Sequence, residues 1–246
     1  MMRTIYGVNP VMEALAAGAK GIERILVSQG RSDKAAQDIL KAASMARIHC
    51  LRVNQDELTA LAKGGVHQGV VAIMRSGFAY VSLDALIDAW KGSGKRALFL
   101  VLDSVQDPHN LGSLVRASEC AGAHGVIIPK DRACEVTATV GKTSAGAIEH
   151  VPIAREVNIS SAIKQLKEAG VWVAGVDALG RQDIYKTDLN IDVALVIGGE
   201  GKGIRRLVLE NCDFTVSIPM AGAINSLNAA QAGTIALFEA LRQRRK

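Results

Sequence analysis

Aromatic side chains make up only 4% of this 246-residue chain. A surface that stacks successive bases on exposed rings therefore has few rings to work with. The four cysteines, Cys50, Cys120, Cys134 and Cys212, stand singly with no C-x-x-C spacing, which excludes a disulfide framework and a zinc cluster and fits free thiols in a reducing compartment. No apolar run nears the ~20 residues that cross a bilayer. The N-terminal MMRTIYGVNPVMEALAAG carries Pro10 and Glu13 where a signal peptide is unbroken, so a cytoplasmic, soluble protein is expected. Nucleotide fingerprints are also missing. Gly141-Lys142-Thr143 has the end of a P-loop, but Val136 stands where its first glycine belongs, and Gly203 is followed by Ile204. The five histidines form no H-E-x-x-H pair and there is no G-x-S-x-G elbow. A nucleoside triphosphatase, a zinc enzyme and a serine hydrolase thus lack their residues, and no metal is expected.

Hydrophobic residues make up 49% of the chain and charged ones 22%, enough for one large core or two modest ones. Apolar runs without alternation stand at 25–27, 69–74, 97–102, 126–128, 171–176, 193–197 and 214–218. Such runs predict strands buried on both faces, as in parallel sheets covered by helices. Helix-period stretches lie between them at 33–47, 111–121, 160–169 and 227–243, and the alternation predicts an α/β fold. The stretch 77–95, with Gly77, a short helix-like 83–90 and Gly92-Ser93-Gly94, reads as a linker. It separates a small domain at 1–76 from a larger one at 96–246.

Charge divides unevenly across that boundary. Residues 1–76 hold ten Lys/Arg against six Asp/Glu, residues 77–241 are net −3, and the last five, RQRRK, carry four positive charges. A small basic domain and a basic tail around a mildly acidic body are expected to hold a polyanion.

Three segments each follow a predicted strand. The first, Asp103 to Arg116, passes through Asp107-Pro108-His109-Asn110, where Asn110 is placed either to cap the next helix or to act in a site. The second, Gly198-Gly199-Glu200-Gly201-Lys202-Gly203, releases a carboxylate between glycines. The third runs from Ile218-Pro219-Met220 through Asn225-Ser226-Leu227-Asn228 into the last helix; Asn225, Ser226 and Asn228 are all cap candidates.

In this order, each at the C-terminal end of a strand, the three resemble the signature motifs of the SpoU (TrmH-type) RNA ribose methyltransferases. The resemblance covers about 150 residues from Ala97 onward and includes Lys142-Thr143-Ser144-Ala145-Gly146-Ala147. Ile5-Tyr6-Gly7, Val66-His67-Gln68-Gly69 and the chain length are similar to those of members that methylate a guanosine ribose in 23S rRNA. Asn228 is followed by Ala229-Ala230, where many members carry Val-Ser or Val-Ala.

The resemblance implies an α/β methyltransferase domain with a mostly parallel sheet, tied in a C-terminal trefoil knot that periodicity could not reveal. It implies S-adenosylmethionine as cofactor, held at Gly198, Ile218 and Leu227 with Met220 adjacent, and homodimers formed through the knotted domain. The helix at 227–243 fits either that contact or the core. The implied catalytic set is Asn110, Arg116, Glu200, Ser226 and Asn228. Asn110 and Ser226 would orient substrate and loops, Glu200 would fix the site electrostatically, and Asn228 would serve the pocket and the last helix start. A general-base role for Arg116 conflicts with a guanidinium pKa above ~12, so Arg116 is read as the cation for the target phosphate and the developing alkoxide. Residues 1–76 resemble the family's small α/β RNA-binding extension, with Arg24, Arg31, Lys34, Lys41 and Arg52 as candidate phosphate contacts. The expected activity is 2′-O-methylation of a guanosine ribose in 23S rRNA. A tRNA methyltransferase of the same family and a non-catalytic RNA-binding or ribosome-assembly protein are the alternatives.

Overall fold

The computed structural model describes residues 3–245, which form two compact units. The first takes the chain up to Ala79 together with Glu135–His150, and the second takes Tyr80–Cys134 and the chain from Val151 onward.

In the first unit, β1 (Thr4–Tyr6), β2 (Ile22–Ser28), β3 (His49–Val53) and β4 (Val70–Met74) make a sheet ordered β1-β4-β2-β3. β4 is buried along its whole length and runs antiparallel to both its neighbours, while β3 is a parallel edge strand. Helices α1 (Val8–Ala16) and α2 (Lys34–Met45) bury Val11, Leu15 and Ile39 with Ile25 and Val70 of the sheet. Helix α3 (Gln55–Leu61), capped by Asn54, sets Leu58 against Tyr6 and Val71.

In the second unit come α4 (Leu83–Ser93), β5 (Leu98–Asp103), α5 (Pro108–Cys120) and β6 (Gly125–Pro129). The segment that returns to the first unit carries α6 (Ala138–Thr143). Then follow β7 (Ile153–Glu156), α7 (Ile159–Glu168), β8 (Trp172–Val176), β9 (Gln182–Asp183), β10 (Val193–Gly198), α8 (Arg206–Leu209), β11 (Phe214–Ser217) and α9 (Ala229–Arg244). The seven strands are ordered β7-β6-β5-β10-β8-β11-β9, every pairing parallel. β5, β6 and nearly all of β10 are buried, as apolar runs without alternation require. Helix α9 packs on α5 and β10, and no helix among the described residues is long and apolar enough to cross a membrane.

Two stretches depart from the expected division. Within 77–95, Ser82 caps α4 and Gly94 ends it in the left-handed region. Leu83, Leu86, Ile87 and Trp90, spaced i, i+3, i+4, i+7, enter the core with Phe99. Most of this stretch is therefore core rather than linker. Residues 135–150, expected in the larger domain, belong to the first unit because their apolar face packs there. Ala138 joins the cluster of Tyr6 and Leu58, and Glu149 and His150 pair with Arg3 and Glu13.

The basic tail also differs from expectation. α9 runs through Arg244, whose guanidinium donates to the carbonyls of Arg96, Ala97 and Ile191. Arg242 pairs with Glu239, and Gln243 bonds Leu189 N and Thr187 O. Gln243 and Arg244 thus hold the helix end to the body, whereas Arg242 and Arg245 are exposed and Lys246 lies outside the described residues.

Candidate active site

Four adjacent parallel strands deliver the site from their C-terminal ends, where open α/β sheets bind ligands. Asp103 of β5 stands in register with Gly198 of β10. Ile197 of β10 pairs with Val176 of β8, and Val176 pairs with Val216 of β11. The loops leaving these ends, 104–107, 199–205, 177–181 and 218–228, consequently converge.

Helix α5 begins earlier than Asn110 alone would place it. Asp107 is the cap, accepting from His109 N at 2.9 Å, and Pro108 takes the first helical position, where a missing N–H costs nothing. Asn110 is thus freed from capping and buried in the first turn. Its Nδ2 donates to Glu200 Oε1 at 2.5 Å. Asn228 Nδ2 donates to the same Glu200 oxygen at 3.0 Å and to Asn110 Oδ1 at 3.1 Å. Through its own Oδ1, Asn228 accepts from Ala230 N and Gln231 N and caps α9. One carboxylate therefore joins the first turns of two helices, where negative charge is favoured.

The second loop is held in place from below. Asp103, fully buried, accepts from Arg205 N and Nε at 2.7 Å each and pairs with the guanidinium at 2.6 Å. A β-carbon on Gly198 would overlap the backbone of Gly203 and Ile204, and one on Gly199 would overlap the carbonyl of Ser104. The chain can double back at this point only because these positions are glycine.

Beside the network lies a cavity of about 620 Å³ between Gly198–Gly203, the turn after β8 and the loop before α9. It suits a ligand of cofactor size. Gly198, Glu200, Ile218, Met220, Ser226, Leu227 and Asn228 line it. Asp177, Leu179 and Lys202 also line it and were not singled out from sequence, and Asn225, read there only as a cap candidate, lines it too. Their signal was available in principle, since Asp177-Ala178-Leu179 leaves a predicted strand end as the other loops do. Arg205 was missed as well.

Arg116 stands apart. It is exposed, does not line the cavity, and forms no hydrogen bond or ion pair among the described residues. Six residues along an α-helix are separated by ~9 Å and turned by roughly 120°, so Arg116 and Asn110 face different ways. Cys212, packed under the loop, is inert: burial, with Asp213 adding to it, pushes its thiol up to about 12.

Residues 97–238 match the SpoU rRNA Methylase family. The chain belongs to that family. Residues 4–76 match a second family, RNA 2′-O ribose methyltransferase substrate binding. The chain is 42% identical over 242 residues to the 23S rRNA (guanosine-2′-O-)-methyltransferase RlmB of Ralstonia nicotianae, covering 98% of this chain and 96% of that protein. It is 41% identical to the TrmH-family protein YacO of Bacillus subtilis, named for tRNA and rRNA, over 98% of this chain and 95% of that one. Among solved structures, the SpoU methyltransferase AviRb of Streptomyces viridochromogenes in complex with the cofactor AdoMet superposes with a TM-score of 0.81 at 28% identity, covering 98% of this chain and 89% of that one. Membership of the SpoU family accounts for both the order of the three segments and their convergence.

Proposed function

We propose that this protein transfers the methyl group of S-adenosylmethionine to the 2′-hydroxyl of a guanosine ribose in 23S rRNA. The observation that carries the reading is the Asn110–Glu200–Asn228 network at the cavity, in a chain that aligns along nearly its whole length with RlmB.

S-adenosylmethionine supplies a sulfonium methyl that needs no further activation. The cavity residues fit such a ligand: Ile218 and Leu227 offer apolar walls, and Gly198 brings backbone groups within reach of an adenine edge, with Met220 beside them. Glu200, with one oxygen held by two amides, fixes Asn110 and Asn228 in place. Ser226, exposed on the loop before α9, orients the ribose. The protein's task is then to hold the 2′-oxygen in line with the methyl and stabilise the alkoxide as its proton leaves. Arg116, a permanent cation that forms no ion pair among the described residues, suits the target phosphate.

We infer further that the chain after β11 is threaded as a trefoil knot and that two copies pair through this domain in the cytoplasm. The exposed Leu179, Ile224 and Phe238 support the latter. In the substrate-binding domain, Lys34 and Lys41 form no ion pair among the described residues, whereas Arg24 and Arg31 pair with Glu23 and Asp33 and Arg52 donates to backbone carbonyls. Lys34 and Lys41 are therefore the better phosphate contacts of the five.

The test is methyl transfer from labelled S-adenosylmethionine to unmodified transcripts of 23S rRNA and tRNA, followed by nuclease digestion. Recovery of 2′-O-methylguanosine from 23S rRNA is expected. Label in tRNA alone would favour the tRNA reading, which the name of YacO keeps in view. No transfer, with no binding at millimolar S-adenosylmethionine, would leave a non-catalytic RNA-binding protein.

A further inference from the structure

Three sequence signatures lie outside the cavity: Ile5-Tyr6-Gly7, Val66-His67-Gln68-Gly69 and Lys142-Thr143-Ser144-Ala145-Gly146-Ala147. In the structure they meet at one point of the first unit. His67 is buried; its Nδ1 accepts from Gly69 N at 3.1 Å, which leaves Nε2 to donate to Thr59 Oγ1 at 3.2 Å. With His67 so locked, Gln68 and Gly69 both take left-handed backbone angles, φ 51° and 72°. The turn presents the Gln68 side chain outward. Gln68 Oε1 accepts from Lys142 Nζ at 2.5 Å and from Val8 N at 3.4 Å. The Lys142 amine lies over Gly7, where any β-carbon would overlap it. Each signature thus supplies one part of the cluster: Gly7 the floor, Gln68 the anchor, and Lys142 the charge.

The charge is unbalanced. Lys142 has no carboxylate within ion-pairing distance among the described residues, and its one bond leaves two ammonium hydrogens without an acceptor. Among the described residues the Gln68 amide nitrogen makes no bond, and the side chain is exposed. Burial alone holds the Lys142 amine below its ordinary range. An ammonium bonded to a neutral amide oxygen, beside an amide nitrogen with no acceptor among the described residues, is arranged for an incoming anion.

We propose that Gly7, Gln68 and Lys142 form a phosphate-contact site for the RNA backbone in the substrate-binding unit. The ammonium of Lys142 and the amide of Gln68 grip one phosphodiester. The inference rests on the reading of this chain as an RNA methyltransferase. It adds to that reading a residue that belongs by sequence to the methylase region, 97–238, and by structure to the substrate-binding unit.

The test measures binding of the intact protein to transcribed 23S rRNA across a potassium chloride series. One phosphate contact contributes about 0.7–0.9 to the slope of log affinity against log salt. Lys142→Gln keeps a hydrogen-bonding group and removes the charge, so it should lower the slope by that amount and weaken binding at low salt roughly fivefold to tenfold. Lys142→Arg should restore the slope. Melting temperature and S-adenosylmethionine affinity should stay at wild-type values in both. Because a purely structural role would move the melting temperature and not the slope, the two are separable. A Lys142→Gln protein with the wild-type slope, alongside wild-type protein that binds and methylates the transcript, overturns the site and leaves the proposed function standing. Failure of the wild-type protein to bind the transcript overturns both.

Discussion

Asn228 does two things at once, and substitutions can separate them. Its Oδ1 caps α9, a role worth ~1 kcal/mol. Its Nδ2 joins Asn110 to Glu200, two hydrogen bonds worth roughly 0.5–1 kcal/mol each at this exposed position. Asn228→Ala loses both functions and should cost about 2 kcal/mol, or a fall of roughly 4–8 °C in Tm for a chain of this size. Asn228→Asp keeps a good cap but places a second carboxylate against Glu200. It should cost about 1–2 kcal/mol near pH 7 from lost donation and like-charge repulsion, discounted for exposure. That loss should shrink as the pH falls through the carboxylate range and one group takes a proton. Differential scanning fluorimetry from pH 7.5 to pH 4.5 reads the stability, and labelled methyl transfer to 23S rRNA reads the activity. If the network orients the substrate, both variants should lose at least about a hundredfold in kcat, with S-adenosylmethionine affinity within about threefold of wild type. An Asn228→Asp enzyme with near-normal kcat and a pH-independent stability deficit would show that the network is only a helix cap.

Three further outcomes follow from the same geometry. Gly198→Ala forces a β-carbon into the backbone of Gly203 and Ile204, so calorimetric titration should find S-adenosylmethionine binding weakened more than tenfold in a folded protein. Arg244→Ala removes three bonds to backbone carbonyls and should cost about 2–3 kcal/mol on urea unfolding, while RNA affinity stays within twofold; a large affinity loss at unchanged stability would return the tail to RNA binding. His124, accepting from Leu98 N, is held by burial below the ordinary histidine range. The unfolded chain therefore binds its proton first, and stability from this residue should fall as the pH drops below about 6.5 towards the folded value. His124→Asn should flatten that part of a urea-midpoint profile.

Much of the second unit was legible because its strands are buried on both faces, and an unbroken apolar run such as 193–197 can hardly be read otherwise. β3 was missed because it is an edge strand with mostly exposed side chains, and β9 because it is two residues long. The linker reading of 77–95 failed for a different reason. Glycines at 92 and 94 outweighed the i, i+3, i+4, i+7 spacing of Leu83, Leu86, Ile87 and Trp90, which the structure shows to be the stronger signal. In the candidate site, Asn110, Glu200 and Asn228 were each ambiguous alone, since any of them could serve a turn or a cap. What separates the roles is three-dimensional. Asp107 takes over the cap of α5 and releases Asn110, whereas Asn228 caps and bridges together. The tail illustrates the opposite limit: charge counted along a sequence does not reveal which guanidinium is spent on backbone carbonyls. Likewise, nothing in the spacing of residues 135–150 announces that they leave the larger domain, because their apolar partners, Tyr6 and Leu58, are distant in sequence.

Mass-spectrometric mapping of 2′-O-methyl groups before and after deletion of the gene shows whether a guanosine ribose in 23S rRNA receives the methyl group. Loss of a single 2′-O-methylguanosine from 23S rRNA, with tRNA unchanged and the methyl restored by the wild-type gene but not by the Asn228→Ala gene, is the expected result. An intact 23S rRNA pattern beside a missing tRNA methyl would contradict the account.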